Sequence, residues 1–184
     1  MRDEVRPDQD AVLIGLGTNL PLGPVSGAPL LAAALDQLRD QGLRIQAASR
    51  PWVSRSWPPG QGAPDYVNAV ARLTTAKGVP SGLTPEALLA VLQRVEAAFG
   101  RQRSTANAPR TLDLDLLAFG RVVSNDPLLT LPHPRLQDRD FVLGPLLEVA
   151  SGWICPRTGA GARALWEALP ARAAWPAPTQ PSLV

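Results

Sequence analysis

The segment Ala108-Pro-Arg-Thr-Leu-Asp-Leu-Asp-Leu-Leu117 places two carboxylates two residues apart in an otherwise apolar run. If the run is a strand, Asp113 and Asp115 share one face, about 6–7 Å apart, and the leucines point to the core. The two carboxylates then repel each other and lose hydration, and a divalent cation removes both penalties. Mg²⁺ is commonly bound by one or two carboxylates together with substrate phosphates. The pattern indicates either a metal site for a polyphosphate or the solvated face of an amphipathic strand.

Arginines flank this segment. Arg110 lies just before the predicted strand, and Arg101 and Arg103 follow Gly100, which ends a predicted helix. A guanidinium group can donate two parallel hydrogen bonds to a phosphate, and arginines on a mobile loop can close over a substrate. The alternative is that the arginines after Gly100 only complement the helix dipole.

Gln93, Glu96 and His133 are further polar candidates. Gln93 and Glu96 are i,i+3 neighbours, and we expect both to lie away from the buried stripe of their helix. His133, the only histidine, lies between two prolines, where it either contacts a phosphate or has a structural role.

Tyr66 and Asn68 share one face of another predicted strand. The asparagine amide offers a donor and an acceptor to the edge of a heterocycle, whereas Tyr66 is equally explained by core packing. Arg139 and Phe141 follow the histidine, and the phenylalanine ring is suited to stacking on a flat ligand.

Strands and helices alternate along the chain without the spacing of a Rossmann fold, which favours an α+β sandwich. Strands are predicted at 11–16, 43–54, 66–75 and 111–119, and helices around 30–38, 84–99, 138–149 and 163–169. We expect a loop from Gly17 to Leu20 and a hairpin turn at 120–121 leading into Val122–Val123. A flexible lead (1–10), a single domain (11–169) and a Pro-rich, disordered or loosely packed tail (170–184) complete the predicted organisation.

Composition limits the class of protein. The 184 residues are 45% hydrophobic, the formal net charge is +2 and there is one cysteine, which predicts a single domain with a sizeable core and no internal disulfide. No apolar leader or membrane span is recognised, so we expect a cytoplasmic protein. Three Phe, one Tyr and the small charge argue against a nucleic-acid-binding domain. The sequence contains neither a GxxxxGK[ST] nor a GxGxxG motif.

Four blocks fall in the order found in the 6-hydroxymethyl-7,8-dihydropterin pyrophosphokinase family. The segment Pro109–Leu117 is similar to the signature of that family, and Ile14-Gly-Leu-Gly-Thr-Asn-Leu20 resembles its opening. Asp65-Tyr-Val-Asn-Ala69 resembles its pterin strand, and Leu131-Pro-His-Pro134 with Arg139, Phe141 and Pro145-Leu146 resembles its later block. Members transfer diphosphate from ATP to the hydroxymethyl group of the pterin.

The resemblance implies a ferredoxin-like α+β fold with a mainly antiparallel sheet, an ATP-dependent pyrophosphokinase and a monomer that uses two Mg²⁺ ions. The implied site comprises Asp113 and Asp115 for metal, Arg101 and Arg110 for catalysis, Gln93, Glu96, Arg103, His133 and Arg139 for ATP, and Tyr66, Asn68 and Phe141 for the pterin. The alternative is another Mg²⁺-dependent phosphoryl or nucleotidyl transferase on the same fold, which would keep the carboxylate strand but need no pterin pocket.

Overall fold

A six-stranded sheet forms the centre of the computed structural model, which describes residues 8–56, 64–74, 82–101, 109–177 and 183. Its strands are β1 (Val12–Thr18), β2 (Ile45–Ala48), β3 (Trp52–Ser54), β4 (Tyr66–Leu73), β5 (Asp113–Phe119) and the C-terminal Trp175–Pro176, which is β8. A separate hairpin pairs β6 (Ser124–Asp126) with β7 (Leu129–Leu131). The helices are α1 (Ala28–Asp40), α2 (Pro85–Ala98), α3 (Asp140–Val149) and α4 (Ala162–Ala168), with one 3-10 turn at Leu136–Asp138.

The sheet order is β5-β1-β4-β3-β8, and β2 also pairs with β4. All of these pairs are antiparallel. The predicted α+β class with a mainly antiparallel sheet is therefore confirmed. Strand β1 lies between β5 and β4, and Gly17 is the register partner of both Asp113 and Asn68.

Helices cover both faces of the sheet because each strand buries alternate residues on opposite sides. Ile14 and Leu16 of β1 belong to the core cluster that also contains the apolar stripes of α1 and α2, whereas Leu13 joins the cluster formed with α3 and α4. The leucines of α1 recur at helical spacing and are buried, and Thr84 caps α2 by accepting a hydrogen bond from the Ala87 N–H at 3.2 Å. No helix in the described part of the chain has the length and apolarity needed to cross a membrane.

Helix α3 approaches the sheet closely at Gly144. A Cβ at this position would lie 2.5 Å from carbons of the Trp52 indole, which is buried at 7% exposure. Only glycine permits this approach, which fixes the height of α3 above β3. The first turn of α3 carries Phe141, so this contact also helps to set the position of that ring.

Several local predictions were wrong. Gly17 and Thr18 continue β1 rather than forming a loop, and the expected long second strand is divided into β2 and β3. The turn at Gly120 does not fold residues 122–123 back onto β5, because the next strand, β6, pairs with β7 instead. These elements depend on which strand is available as a partner, which local periodicity does not specify.

The chain ends also contact the fold. Residues 1–7 of the predicted lead lie outside the described residues, but Asp8 forms an ion pair with Arg72 and accepts a hydrogen bond from the Gly152 N–H at 2.8 Å. In the predicted loose tail, Trp175 and Pro176 pair with β3, and the Ala177 N–H donates to Pro51 O at 2.8 Å. The described part of the tail therefore adds a strand to the sheet edge.

Candidate active site

The candidate residues converge on one face of the sheet, beside the first turn of α3. Asp113 and Asp115 lie on this face of β5, and their register partners on β1 are Gly17 and Gly15. A Cβ on Gly17 would lie 3.4 Å from Asn68 Oδ1 and 3.8 Å from Asp113 Cβ. The two glycines therefore leave the sheet surface uncovered between the acidic strand and the strand that carries Asn68.

Three arginines surround the two carboxylates. Nη1 of Arg101 lies 2.8 Å and Nη1 of Arg110 lies 3.0 Å from Asp113 Oδ1. Nη1 of Arg139, at the start of α3, lies 3.7 Å from Asp115 Oδ2. The site thus brings together two acids and three cations, of which Asp113 has the closer cationic partners.

The backbone of Arg110 is held by the end of β1. Asn19 Oδ1 accepts the Arg110 N–H at 2.9 Å, and the N–H groups of Asn19 and Leu20 both donate to Arg110 O at 3.2 Å. The Asn19 side chain also donates to Pro64 O at 3.3 Å, close before β4. Asn19 therefore connects the arginine to the segment that leads into Tyr66 and Asn68, a role that the sequence did not reveal.

Glu96 is buried at 4% exposure, so the prediction that it lies away from the buried stripe was wrong. Its Oε1 accepts the backbone N–H of Leu114 at 2.7 Å and pairs with the Arg101 guanidinium. The carboxylate consequently links α2 to β5 between the two aspartates and holds the arginine against Asp113. Gln93, one turn earlier, is exposed, as expected.

We expect Glu96→Gln to lower the free energy of unfolding by about 2 kcal/mol, because hydrogen bonds to a charged group contribute about 1.5–3 kcal/mol and the buried amide has one acceptor oxygen instead of two. Urea denaturation measures the change. Glu167→Gln, at an exposed position on α4, is the matched control and should stay within about 0.5 kcal/mol of the parent. Equal effects of the two substitutions would show that the link from α2 to β5 has no role in stability.

Burial and a neighbouring negative charge both affect the pKa of Asp115. Desolvation and the nearby Asp113 raise the pKa of the Asp115 carboxyl, although His133, Arg139 and Arg101 oppose the shift. Loss of hydration lowers the pKa of His133, and the charges of Arg139 and Arg135 act in the same direction. The nearby cations therefore do not fully offset the cost of ionising Asp115.

His133 lies on the same side of the site as Arg139. Its backbone N–H donates to Leu117 O at 2.8 Å, and its Nδ1 accepts the Arg135 N–H at 3.2 Å. A neutral imidazole in this arrangement carries its proton on Nε2 and can donate it to an anion. The Nε of Arg139 is buried and, among the described residues, has no hydrogen-bond partner. The imidazole therefore retains a donor for a phosphate oxygen, and Arg139 keeps a buried donor that the described residues do not satisfy.

Asn68, Tyr66 and Phe141 are the candidate residues for a heterocycle, and Phe141 lies next to Arg139 at the start of α3. The Asn68 amide is 7% exposed and donates to Ser54 Oγ at 2.9 Å and to Trp52 O at 3.4 Å. Its oxygen is left as the group that can accept from a ligand, so Asn68 is fixed rather than free to present both edges. Phe141 is partly exposed, and its ring centroid lies 5.5 Å from the Arg139 guanidinium carbon.

The donor set fits Mg²⁺ that is shared with a ligand. Among the described residues, no cluster of three or more His, Cys, Asp or Glu side chains could hold a metal ion by itself. Asp113 and Asp115 supply two carboxylates beside an open floor, and the raised pKa of Asp115 shows that added positive charge is favourable there. The remaining ligands then have to come from a substrate or water, as is common for Mg²⁺ bound with phosphates.

Most of the predicted site residues lie in this arrangement. The residues that lie around this face are Asp113, Asp115, Arg101, Arg110, Arg139, His133, Asn68, Tyr66 and Phe141. Glu96 reaches Arg101 from α2, which packs on the other face of the sheet, and Gln93 is exposed on the same helix. Arg103 lies outside the described residues. Sequence reasoning missed Gly15, Gly17, Asn19 and Ser54. The signal for the first three was available, because all of them belong to the segment Ile14–Leu20 that carries a family resemblance.

The model of the family described as 7,8-dihydro-6-hydroxymethylpterin-pyrophosphokinase matches residues 13–151. Proteins named 2-amino-4-hydroxy-6-hydroxymethyldihydropteridine pyrophosphokinase are among the relatives. The one from Synechocystis sp. is 38% identical over 164 residues, which cover 89% of this chain and 78% of the relative. The one from Haemophilus influenzae is 39% identical over 145 residues, which cover 79% and 84% of the two chains.

Solved structures share the fold. Wild-type Plasmodium falciparum HPPK-DHPS superposes with a TM-score of 0.61 over 85% of this chain at 12% sequence identity. The aligned part amounts to 44% of the Plasmodium chain, so this chain spans less than half of that protein. At this identity the likeness concerns the fold alone, and it supports the ferredoxin-like architecture that the family resemblance implied.

Proposed function

Because this chain belongs to the 7,8-dihydro-6-hydroxymethylpterin-pyrophosphokinase family, we propose that the site beside α3 carries out the reaction of that family. The chain is an ATP-dependent pyrophosphokinase of folate biosynthesis that transfers diphosphate to 6-hydroxymethyl-7,8-dihydropterin. The observation that carries the assignment to this site is the convergence of Asp113 and Asp115 with Arg101, Arg110 and Arg139 around an open sheet surface.

The reaction is a displacement at the β-phosphorus of ATP. The hydroxymethyl oxygen of the pterin forms a bond to that phosphorus, and the bond from the phosphorus to the bridging oxygen of AMP breaks. AMP leaves with the bridging oxygen, the diphosphate stays on the pterin, and the hydroxyl proton is released. The protein mainly has to align the two oxygens and offset the charge on the phosphate oxygens.

Members of the family are ATP-using enzymes that generally need Mg²⁺. We assign Asp113 and Asp115 as the protein ligands of Mg²⁺. The metal would neutralise phosphate charge when it is bound. We propose two Mg²⁺ ions that share this pair of carboxylates. Among the described residues no third acidic ligand joins the pair, so the ions would complete their coordination on the triphosphate.

Arg101 and Arg110 are assigned to the transferred phosphoryl group. Both arginines pair with Asp113, so their guanidinium groups are placed at the carboxylate that would hold metal. From there their donors would stabilise the charge that is redistributed over the β-phosphoryl oxygens in the transition state. Arg139 and the Nε2–H of His133 are assigned to the polyphosphate, with Gln93, Glu96 and Arg103 carried over as nucleotide-side residues.

Asn68, Tyr66 and Phe141 are assigned to the pterin. Ser54 and Trp52 occupy the amide nitrogen of Asn68, so its oxygen faces the donors of the heterocycle. Phe141 offers a ring face for stacking. We further propose a monomer in the cytoplasm, where the single cysteine, Cys155, suits a reducing compartment.

Product analysis tests the function directly. The protein is incubated with ATP, Mg²⁺ and 6-hydroxymethyl-7,8-dihydropterin, and nucleotides are separated by chromatography. We expect one AMP per pterin diphosphate formed, and no AMP when the acceptor is a dihydropterin that lacks the hydroxymethyl group. Formation of ADP, or AMP release that does not depend on the acceptor, would indicate a different phosphoryl transferase.

A further inference from the structure

The β6–β7 hairpin leads directly into His133 but has little support of its own. Each strand has three residues, and in the described part of the chain the two pair only with each other. A two-stranded hairpin is marginally stable in water unless it packs against something else. The last residue of β7, Leu131, is fully buried in the core, and Pro132 and His133 follow it immediately.

Arg157, from a distant turn, bonds to both strands of this hairpin. Its Nη2 donates to Ser124 O and to Leu131 O, each at 2.7 Å, and its Nη1 donates to Asn125 Oδ1 at 2.7 Å. Ser124 and Leu131 are register partners, so a single guanidinium joins the two strands at the end that leads to the histidine. The planar fork of arginine suits this triple contact better than the single ammonium of lysine.

The turn that carries Arg157 is fixed to the core. The Cys155 N–H donates to Ala160 O at 2.9 Å, and the Gly159 N–H donates to Cys155 O at 2.8 Å. On either side of the turn, Trp153 and Ala162 are buried at 0% exposure and joined by a backbone hydrogen bond of 2.9 Å. The guanidinium is therefore presented from a rigid support.

A space lies between this turn and the segment around the hairpin. A cavity of about 240 Å³ is lined from both sides, by Thr130, Pro132 and His133 of the hairpin segment and by Cys155 and Arg157 of the turn. Side chains that face a cavity lack van der Waals partners on that side. The three hydrogen bonds of Arg157 connect the turn to the hairpin beside this space.

We propose that Arg157 is a positioning residue for the nucleotide side of the site. It holds Leu131 at one end of a three-residue segment whose other end is fixed by the hydrogen bond from the His133 N–H to Leu117 O. Leu117 lies two residues after Asp115 on β5, so the segment places the imidazole beside the acidic strand. The inference rests on the proposed function, because it assigns His133 to the polyphosphate.

Kinetics with Arg157→Ala, Arg157→Lys and the control Arg163→Ala test the inference. Arg163 is an exposed arginine on the nearby α4. We expect Arg157→Ala to raise the KM for ATP about tenfold while the KM for the pterin changes less than about twofold, since small misplacement of a contact group is costly. Arg157→Lys should recover part of the loss, and Arg163→Ala should match the parent. An unchanged KM for ATP, or equal increases in both KM values, would overturn the proposal.

A second measurement does not depend on activity. The chain has a single histidine, so its imidazole gives one assignable set of proton resonances. In the ligand-free protein, Arg157→Ala should shift these resonances and Arg163→Ala should not. If the imidazole signals are unaffected by Arg157→Ala, the positioning role is wrong even where the enzyme is active. If they shift but the parent forms no AMP, the proposed function fails instead.

Discussion

Asp115→Asn should abolish measurable transfer, with kcat/KM for pterin-dependent AMP formation falling about 10³-fold or more. A metal that offsets phosphate charge contributes several kcal/mol to the transition state, and each 1.36 kcal/mol corresponds to a factor of ten. The amide keeps the shape of the side chain but not its charge, so cation affinity is lost without a change in packing. Asp40→Asn, at an exposed position at the end of α1, is the control and should retain the parent rate.

The same substitution should leave the ligand-free protein equally stable or more stable. Burial and Asp113 raise the pKa of the Asp115 carboxyl in the folded state. A carboxyl of this kind contributes stability below its unfolded pKa and loses that contribution as the pH rises through its folded pKa. At neutral pH the ionised group is therefore a cost, and asparagine removes it.

Thermal denaturation without nucleotide or metal measures this second effect. We expect the Tm of Asp115→Asn at pH 7 to equal or exceed that of the parent, and the difference to shrink below pH 4. Addition of ATP and Mg²⁺ should raise the Tm of the parent more than that of the variant. A variant that is inactive and also clearly less stable would show that Asp115 has a structural role rather than a metal-binding one.

Arg110→Ala should lower kcat by about 10²–10³-fold, the loss that follows removal of one donor to a developing anionic charge. Its backbone N–H and C=O are held by the end of β1, so truncation of the side chain leaves the loop in place. Arg110→Lys keeps the charge without the paired donors and should recover only part of the rate. Initial rates at saturating ATP and pterin give the comparison.

Arg121→Ala is the matched control for this prediction. Arg121 forms an exposed ion pair with Asp10 at 3.2 Å, and surface pairs of this kind contribute little to stability. It should retain kcat within about twofold of the parent. If Arg110→Ala changes KM but not kcat, the arginine binds substrate and transition state equally well, and the proposed catalytic role is wrong.

The sequence alone determined the acidic strand. Strict alternation in Leu112–Leu116 requires that Asp113 and Asp115 share a face and that the leucines face the core, and the register of β5 on β1 agrees. The start of α2 was equally accessible, because the cap at Thr84 acts through neighbours within three residues. Family membership followed from blocks of sequence that keep their order, and it needed no knowledge of how they meet in space.

Only the tertiary structure decided which groups meet. The burial of Glu96 could not be read from its helix, because its partner is the backbone of Leu114, which belongs to another element. The contact between Asn19 and Arg110 joins residues 91 positions apart, and Gly17 becomes important only because β1 lies between β4 and β5. Local periodicity sets the face on which a side chain lies, whereas strand order and register set what it faces, and these depend on packing of the whole chain.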